Sequence, residues 1–467
     1  MYTARTLLRK VADVEVDVIE MLPTPYGLVR YGVAPDHADT KNVTAEFSQI
    51  LSAPNCRFHG NVTVDKDVSV QELLRLYHGV VLAYGADGDR RLGISGEDLV
   101  GSYSARDLVN WYNGHPAYAD FSPDLTRGED AVIVGNGNVA VDVARILLKP
   151  LEALKSTDIA DHALDALASS SISRVHIVGR RGAAQAAFTI AELREMVTLQ
   201  GIDVVMQPQE LELDGVDEEQ MAKKRPLKRM MGLLRDAMAQ GRDAAVTREL
   251  HLRFLLTPAL VHPAPHAPSH VGAVTFEANK LEGAAEARRA VGTGERETIS
   301  CSLLMRSVGY RSHALHGVPF DHQRHTVPQV PFHMSYVLAY FSGICSLPSA
   351  FPLAVLPPPL CTCRKCAYVA TAFDALGHSD GQAGGAVKSD EGLVPGLYVA
   401  GWLKRGPTGI IGTNISDAQQ TALAVIMDWE GHALAGPREG GEGLSALLRS
   451  RNVRCITALD WQRIDEV

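Results

Sequence analysis

The chain has 467 residues, 46% hydrophobic and 21% charged, with a formal net charge of −9. That length exceeds one ordinary core and predicts two domains of globular type, and the acidic balance excludes general nucleic-acid binding. Seven cysteines at irregular spacing (Cys56, Cys301, Cys345, Cys361, Cys363, Cys366 and Cys455) exclude a disulfide scaffold and fit a reducing compartment.

A basic amphipathic piece opens the chain and predicts a helix over residues 2–10; it has neither the apolar stretch nor the cleavage site of a signal peptide. Residues 15–19 read as a β-branched strand ending at Glu20. A Pro/Gly-rich turn segment follows over 23–35. Then come a helix at 40–51, short strands within 57–64, a helix at 69–77 and an apolar strand at 79–84. The break from Gly85 to Gly88 is the expected crossing point between domains. A second run alternates helix (104–112), strand (130–134), helix (138–148), strand (173–178) and helix (190–199), the rhythm of a doubly wound parallel sheet. Residues 149–171 read as an insertion in the crossover. Near the end, a strand at 396–400 runs into a Gly-rich segment and a helix from Ser416.

Residues 325–363 break the rhythm, since they hold no Asp, Glu, Lys or Arg. Gly343, Pro348 and Pro352 argue against a membrane-spanning helix there. A disordered or poorly packed insertion is expected instead. Cys361, Cys363 and Cys366 lack a second ligand pair of the usual zinc spacing, so no metal site is expected. No Ser/His/Asp or Cys/His catalytic set is visible.

The strand 131–134 leads into Gly135, Asn136, Gly137, Asn138, Val139 and Ala140, a GxGxxA loop opening a helix. Gly135 permits the tight turn, Gly137 lets the backbone approach a pyrophosphate, and Ala140 allows close helix–strand packing. The helix N-terminus offers free N–H groups and its positive dipole end to the phosphates. NAD-type sites end the next strand with an acid for the ribose 2′-hydroxyl; here Arg180 and Arg181 stand there, suited to a 2′-phosphate. The cofactor read from these residues is NADPH.

The stretch from Pro25 to His37, this loop, the segment from Gly179 to Gly182, the stretch from Phe188 to Met196 and that from Gly401 to Gly409 closely resemble the NADPH:adrenodoxin oxidoreductase family. These mitochondrial ferredoxin reductases are similar in fold to glutathione-reductase-type flavoproteins. The resemblance implies an α/β fold of two Rossmann-like dinucleotide-binding domains. An FAD domain would comprise 1–102 and 392–467, an NADP domain 103–327, and the atypical insertion 328–391. It also implies that Glu20 binds the FAD adenosine ribose, that Leu28 and Val64 line FAD, and that Trp402, Gly409, Ile410 and Ile411 meet the isoalloxazine. Asn136, Gly137, Asn138, Val139, Arg180, Arg181, Glu192 and Gly409 would contact NADP(H), and His37 would pair with Glu192 near the nicotinamide as the catalytic pair.

Electrons would then pass from NADPH through FAD to an acidic 2Fe–2S ferredoxin of the adrenodoxin kind, serving cytochrome P450 systems. The ferredoxin would be steered by Arg194 and the basic run from Lys223 to Arg229. The implied location is the mitochondrial matrix, with at most peripheral membrane association. Two departures shape the expectation. The family pattern places a first strand and a GxGPAG loop ahead of the helix that here starts at Tyr2, so FAD binding is expected to be weakened. The 328–391 segment has no counterpart in the pattern. The alternatives are a silent variant that binds NADP but not FAD, and a glutamate-synthase small-subunit-like module, disfavoured because no cysteine-rich cluster domain precedes the flavin region.

Overall fold

The computed structural model describes residues 1–243, 245–331, 383–409 and 412–466. Contacts divide the chain into two compact units. The first comprises Met1–Pro25, Phe47–Gly88 and Arg311–Val467; the second comprises Tyr26–Glu46 and Asp89–Tyr310. These cuts fall elsewhere than 102, 327 and 391.

In the first unit, helix Tyr2–Lys10 turns Leu7 against Ala422 and Ile426 of helix Thr413–Glu430, an apolar stripe at helical spacing meeting another. Strand Val16–Ile19 pairs in parallel with Cys56–His59, Asp17 opposite Arg57 and Ile19 opposite His59. A separate four-stranded sheet runs in the order Gln329–Pro331, Ala383–Ser389, Gly392–Val399 and Val80–Leu82, with the last pairing parallel. Helix Val70–Leu76 starts at a capping box in which Ser69 and Glu72 satisfy each other's backbone N–H groups. It sends Val70 and Leu73 into a core shared with Leu82, Val399, Leu403, Leu444 and Leu448.

The strands expected within 57–64 shorten to Cys56–His59, and Val64 instead forms an isolated bridge with Val68. The flanks of the 328–391 segment, Gln329–Pro331 and Ala383–Ser389, are strands. Its Cys345, Cys361, Cys363 and Cys366 lie outside the described residues, as do Ile410 and Ile411. Among the described residues no helix is long and apolar enough to cross a membrane.

The second unit is built on a six-stranded parallel sheet in the order Ser102–Ser104, Leu303–Arg306, Asp130–Val134, Arg174–Val178, Glu249–Arg253 and Asp203–Met206. Ala131, Val132 and Ile133 are fully buried, as a central strand covered on both faces requires. Helix Asn138–Leu148 lies on it through Ala140, Val143 and Ala144. Residues 149–171 fold as helices Leu151–Leu154 and Asp161–Ala168. The expected turn segment 23–35 contains a short helix, Gly27–Tyr31. A three-stranded antiparallel sheet, Leu256–Ala264, Ala267–Glu282 and Arg289–Ser300, was not expected from the sequence.

Candidate functional site

The nucleotide loop of the second unit joins strand Asp130–Val134 to helix Asn138–Leu148. Gly135 has φ +120°, and a Cβ there would lie 2.1 Å from the Ser307 carbonyl oxygen, so only glycine passes this turn. Around Gly137 no atom lies within 4 Å of where a Cβ would be, which leaves the backbone open to a ligand. A Cβ on Gly179 would lie 2.3 Å from Asn136 Nδ2, so the second strand ends in glycine to let the Asn136 amide lie across it. That amide nitrogen is buried without a hydrogen-bond partner. Asn138 differs: its Oδ1 accepts the Thr189 N–H at 2.8 Å, so its side chain braces the entry to helix Ile190–Val197. Val139 stands in the first turn beside it.

Arg180 is exposed and Arg181 half-buried. Their backbones are fixed, since Asn279 Nδ2 donates to the Arg180 carbonyl at 2.9 Å and Leu255 N–H to that of Arg181 at 3.1 Å. Among the described residues neither guanidinium meets a carboxylate. Two guanidiniums that no described carboxylate neutralises suit a dianion.

His37 hydrogen-bonds Glu195, Nε2 to Oε2 at 2.9 Å, while Glu192 Oε2 stands 3.9 Å away. His37 thus meets both glutamates: Glu192 stands within ion-pair reach, and Glu195, one turn further along helix Ile190–Val197, takes the hydrogen bond. Behind it lies the wholly buried Arg145. It contacts Asp36 at 2.7 Å, Asp142 at 2.8 Å, and Glu192 and Glu195 each at 3.5 Å, and Lys149 adds a second cation to Asp36 at 2.9 Å. Burial opposes the Asp36 charge, but hydrogen bonds from Arg145 and Lys149 prevail and hold its carboxyl well below the usual range. Burial pushes Asp142 up, and burial together with the Asp142 charge pushes Glu192 up. Four carboxylates crowded against two cations raise Asp142 and Glu192 in this way. Sequence reading missed Glu195, Asp36, Asp142, Arg145 and Lys149, because only the fold gathers them.

His37, Glu192 and Glu195 place ligand atoms within 4.8 Å of one another. The Arg145 guanidinium lies 3.5 Å from each of the two glutamates.

In the first unit, Glu20 follows strand Val16–Ile19, and its Oε1 accepts the Leu22 N–H at 3.1 Å. Burial pushes its carboxyl up. The segment from Gly401 to Gly409 is pinned to the start of helix Thr413–Glu430: Asp417 accepts the Gly401 N–H and pairs with the buried Lys404 at 3.1 Å, and Asn414 accepts from Arg405 at 2.7 Å. Trp402 opens the short helix Trp402–Arg405, and Gly409 takes φ +84°. Among the described residues of this unit no strand–glycine-loop–helix supplies a phosphate cradle. Among the described residues Val16–Ile19 pairs only with Cys56–His59, and Val80–Leu82 only with Gly392–Val399. Leu28, largely exposed, belongs to the second unit. Arg194 and the basic residues between Lys223 and Arg229 are all exposed, and Lys223 pairs with Glu219.

No family model matches the chain. It is 40% identical to the mitochondrial NADPH:adrenodoxin oxidoreductase of Arabidopsis thaliana, over 99% of this chain and 87% of that protein. Against the Salvelinus fontinalis enzyme of the same name the identity is 42%, over 99% and 83%. The NADPH-ferredoxin reductase FprA of Mycobacterium tuberculosis is 39% identical over 97% of this chain and 87% of its own. The FprA structure superposes with a TM-score of 0.81 at 38% identity, covering 100% of this chain and 90% of FprA. FprA in complex with NADPH gives 0.80.

Proposed function

The chain belongs to the family of NADPH:adrenodoxin oxidoreductases and NADPH-ferredoxin reductases, and from that premise we propose that it takes electrons from NADPH and delivers them to a ferredoxin. The observation that carries the nucleotide choice is the pair of unneutralised guanidiniums, Arg180 and Arg181, at the end of the strand after the GxGxxA loop. The helix N-terminus at Asn138 holds the pyrophosphate, and the arginines read the 2′-phosphate that separates NADPH from NADH.

FAD is the cofactor. Glu20, Val64, Trp402, Gly409, Ile410 and Ile411 are the residues we assign to it, and when bound it supplies the change from hydride to single-electron chemistry. Oxidising one NADPH with two one-electron acceptors releases one proton. His37 with Glu195 and Glu192 is the group we assign to hold that proton, because burial and crowding of carboxylates already raise Glu192 beside it. The acceptor is a 2Fe–2S ferredoxin with an acidic face, met by Arg194 and the exposed basic run from Lys223 to Arg229. The mitochondrion is the location we propose, from the names of the plant and fish relatives.

The test is reduction of a 2Fe–2S ferredoxin by the purified full chain, followed by absorbance with NADPH and with NADH, alongside the chain's visible spectrum. Ferredoxin reduction with strong NADPH preference and a flavin band is the expected result. NADPH binding with neither a flavin band nor turnover overturns the reading.

A further inference from the structure

The first unit holds a cysteine that the proposed electron transfer does not use. Cys455 Sγ lies 3.6 Å from His59 Nδ1, and the other nitrogen of that ring, Nε2, lies 2.7 Å from Asp17 Oδ1. Asp17 is held from its far side by Arg57, Nε to Oδ1 at 2.8 Å and Nη2 to Oδ2 at 3.0 Å, and Arg57 also pairs with Glu15. Tyr77 stands against the same carboxylate.

The register builds this line. Asp17 and Arg57 are opposite one another in a parallel pair, and His59, two residues on, shares the face of Arg57. Cys455 comes from the far end of the chain and is stitched into place by reciprocal backbone hydrogen bonds between Gly60 and Ile456, at 2.8 and 2.9 Å, and by Asn61 Nδ2 donating to the Arg454 carbonyl at 2.8 Å. The His59 ring is buried, whereas Cys455 is half-exposed.

We propose that Cys455, with His59 and Asp17, forms a reactive-thiol site that takes soft electrophiles and low-molecular-weight disulfides of the glutathione type. His59 Nε2 donates to Asp17, which fixes the ring so that Nδ1 faces the Cys455 sulfur. The ring geometry is that of an activated thiol with a base and an orienting carboxylate. Burial opposes charge on His59, but the hydrogen bonds to Asp17 and Cys455 outweigh it and raise its pKa to about 9. Burial pushes the other two described cysteines up, Cys56 to about 11 and Cys301 to about 12.

In the reaction the Cys455 sulfur attacks one sulfur of the disulfide, and the bond between the two glutathione sulfurs breaks. One half stays on Cys455 as a mixed disulfide, and the other leaves as a thiolate that takes its proton from His59 Nδ1 or water. Two electrons pass from Cys455 to the departing thiol, so the small disulfide is itself the oxidant. The site does not depend on the flavin or nucleotide assignments.

The test is timed alkylation of the native full-length chain by iodoacetamide at neutral pH, with adducts located by peptide mass spectrometry and free glutathione as the rate reference. We expect Cys455 to react about tenfold faster than the reference thiol. Cys56 and Cys301 should stay unlabelled, and glutathione disulfide should add to Cys455. His59→Gln should bring Cys455 to the reference rate or below. Should that variant fail to fold, Asp17→Asn decides: a fall of the Cys455 rate toward that of glutathione supports the site, and an unchanged rate overturns it. A Cys455 rate at or below that of glutathione, or an equal rate in folded His59→Gln protein, also overturns it.

Discussion

Each unit carries a parallel strand pair with the same polar frame. In the first, Asp17 faces Arg57 and touches His59; in the second, Asp130 faces Arg174 at 2.8 Å and touches His176 at 3.2 Å. What differs is the next neighbour. His59 presents Nδ1 to a thiol, whereas His176 stacks on His251 with ring centroids 4.4 Å apart. The adjoining strand ends diverge as well: Glu20 follows Val16–Ile19, and Arg180 with Arg181 follows Arg174–Val178. One frame of Asp, Arg and His serves as scaffolding in both places, and chemistry is set by the groups placed around it.

The largest effect that would sharpen this contrast is at the second strand end. Arg180→Ala with Arg181→Ala removes two charge-assisted contacts of about 1.5–3 kcal/mol each, so kcat/KM with NADPH should fall about a thousandfold while that with NADH barely moves. Equal losses with both nucleotides would remove the 2′-phosphate assignment.

Next comes acid stability of the first frame. Burial opposes the Asp17 charge, but hydrogen bonds from His59 and Arg57 prevail and lower its pKa from 3.8 to about 2. A depressed carboxylate stabilises above its unfolded value, so about 2.5 kcal/mol should be lost as pH falls from 3.8 through about 2. His59, raised from 6.5 to about 9, works in the other direction: its contribution is complete below 6.5 and lost as pH rises through about 9. Denaturant melts of the first unit across pH should therefore peak between these limits, and Asp17→Asn should flatten the acid limb.

A smaller change is expected at the first strand end. Glu20→Gln keeps the shape and removes the charge, which should weaken flavin about tenfold in a fluorescence titration. Unchanged affinity would separate Glu20 from the ribose. Smallest of all, charge reversal at Lys224 and Lys228 should raise the KM for ferredoxin severalfold at low salt, with the difference vanishing as salt rises.

Local patterns are legible in the amino-acid sequence by themselves. The strand, the GxGxxA loop and the helix are contiguous, so their hydrophobic period and glycine positions declare them together. The pairing of His37 with Glu195 is not legible, because those residues meet only when helix Ile190–Val197 docks; Glu192 is the nearer guess in sequence. Cys455 and His59 are separated by almost the whole chain. The antiparallel sheet escapes for another reason. Strand Arg289–Ser300 is largely exposed, rich in Arg, Gly, Thr and Glu, and held by its ladder to Ala267–Glu282 rather than by a buried face, so it shows no apolar alternation.

The tight turn at Gly135 has a consequence for the order of assembly. Its wall is the Ser307 carbonyl, and Ser307 N–H in turn donates to the Val134 carbonyl at 2.7 Å. The loop that meets the nucleotide early in the chain is thus completed by a strand made long after it. During synthesis the phosphate cradle stays unfinished until Leu303–Arg306 has emerged and slid in beside Asp130–Val134. A nascent chain stalled before Leu303 should pass through an immobilised-NADP column unretained, and one stalled well beyond Ser307 should be held.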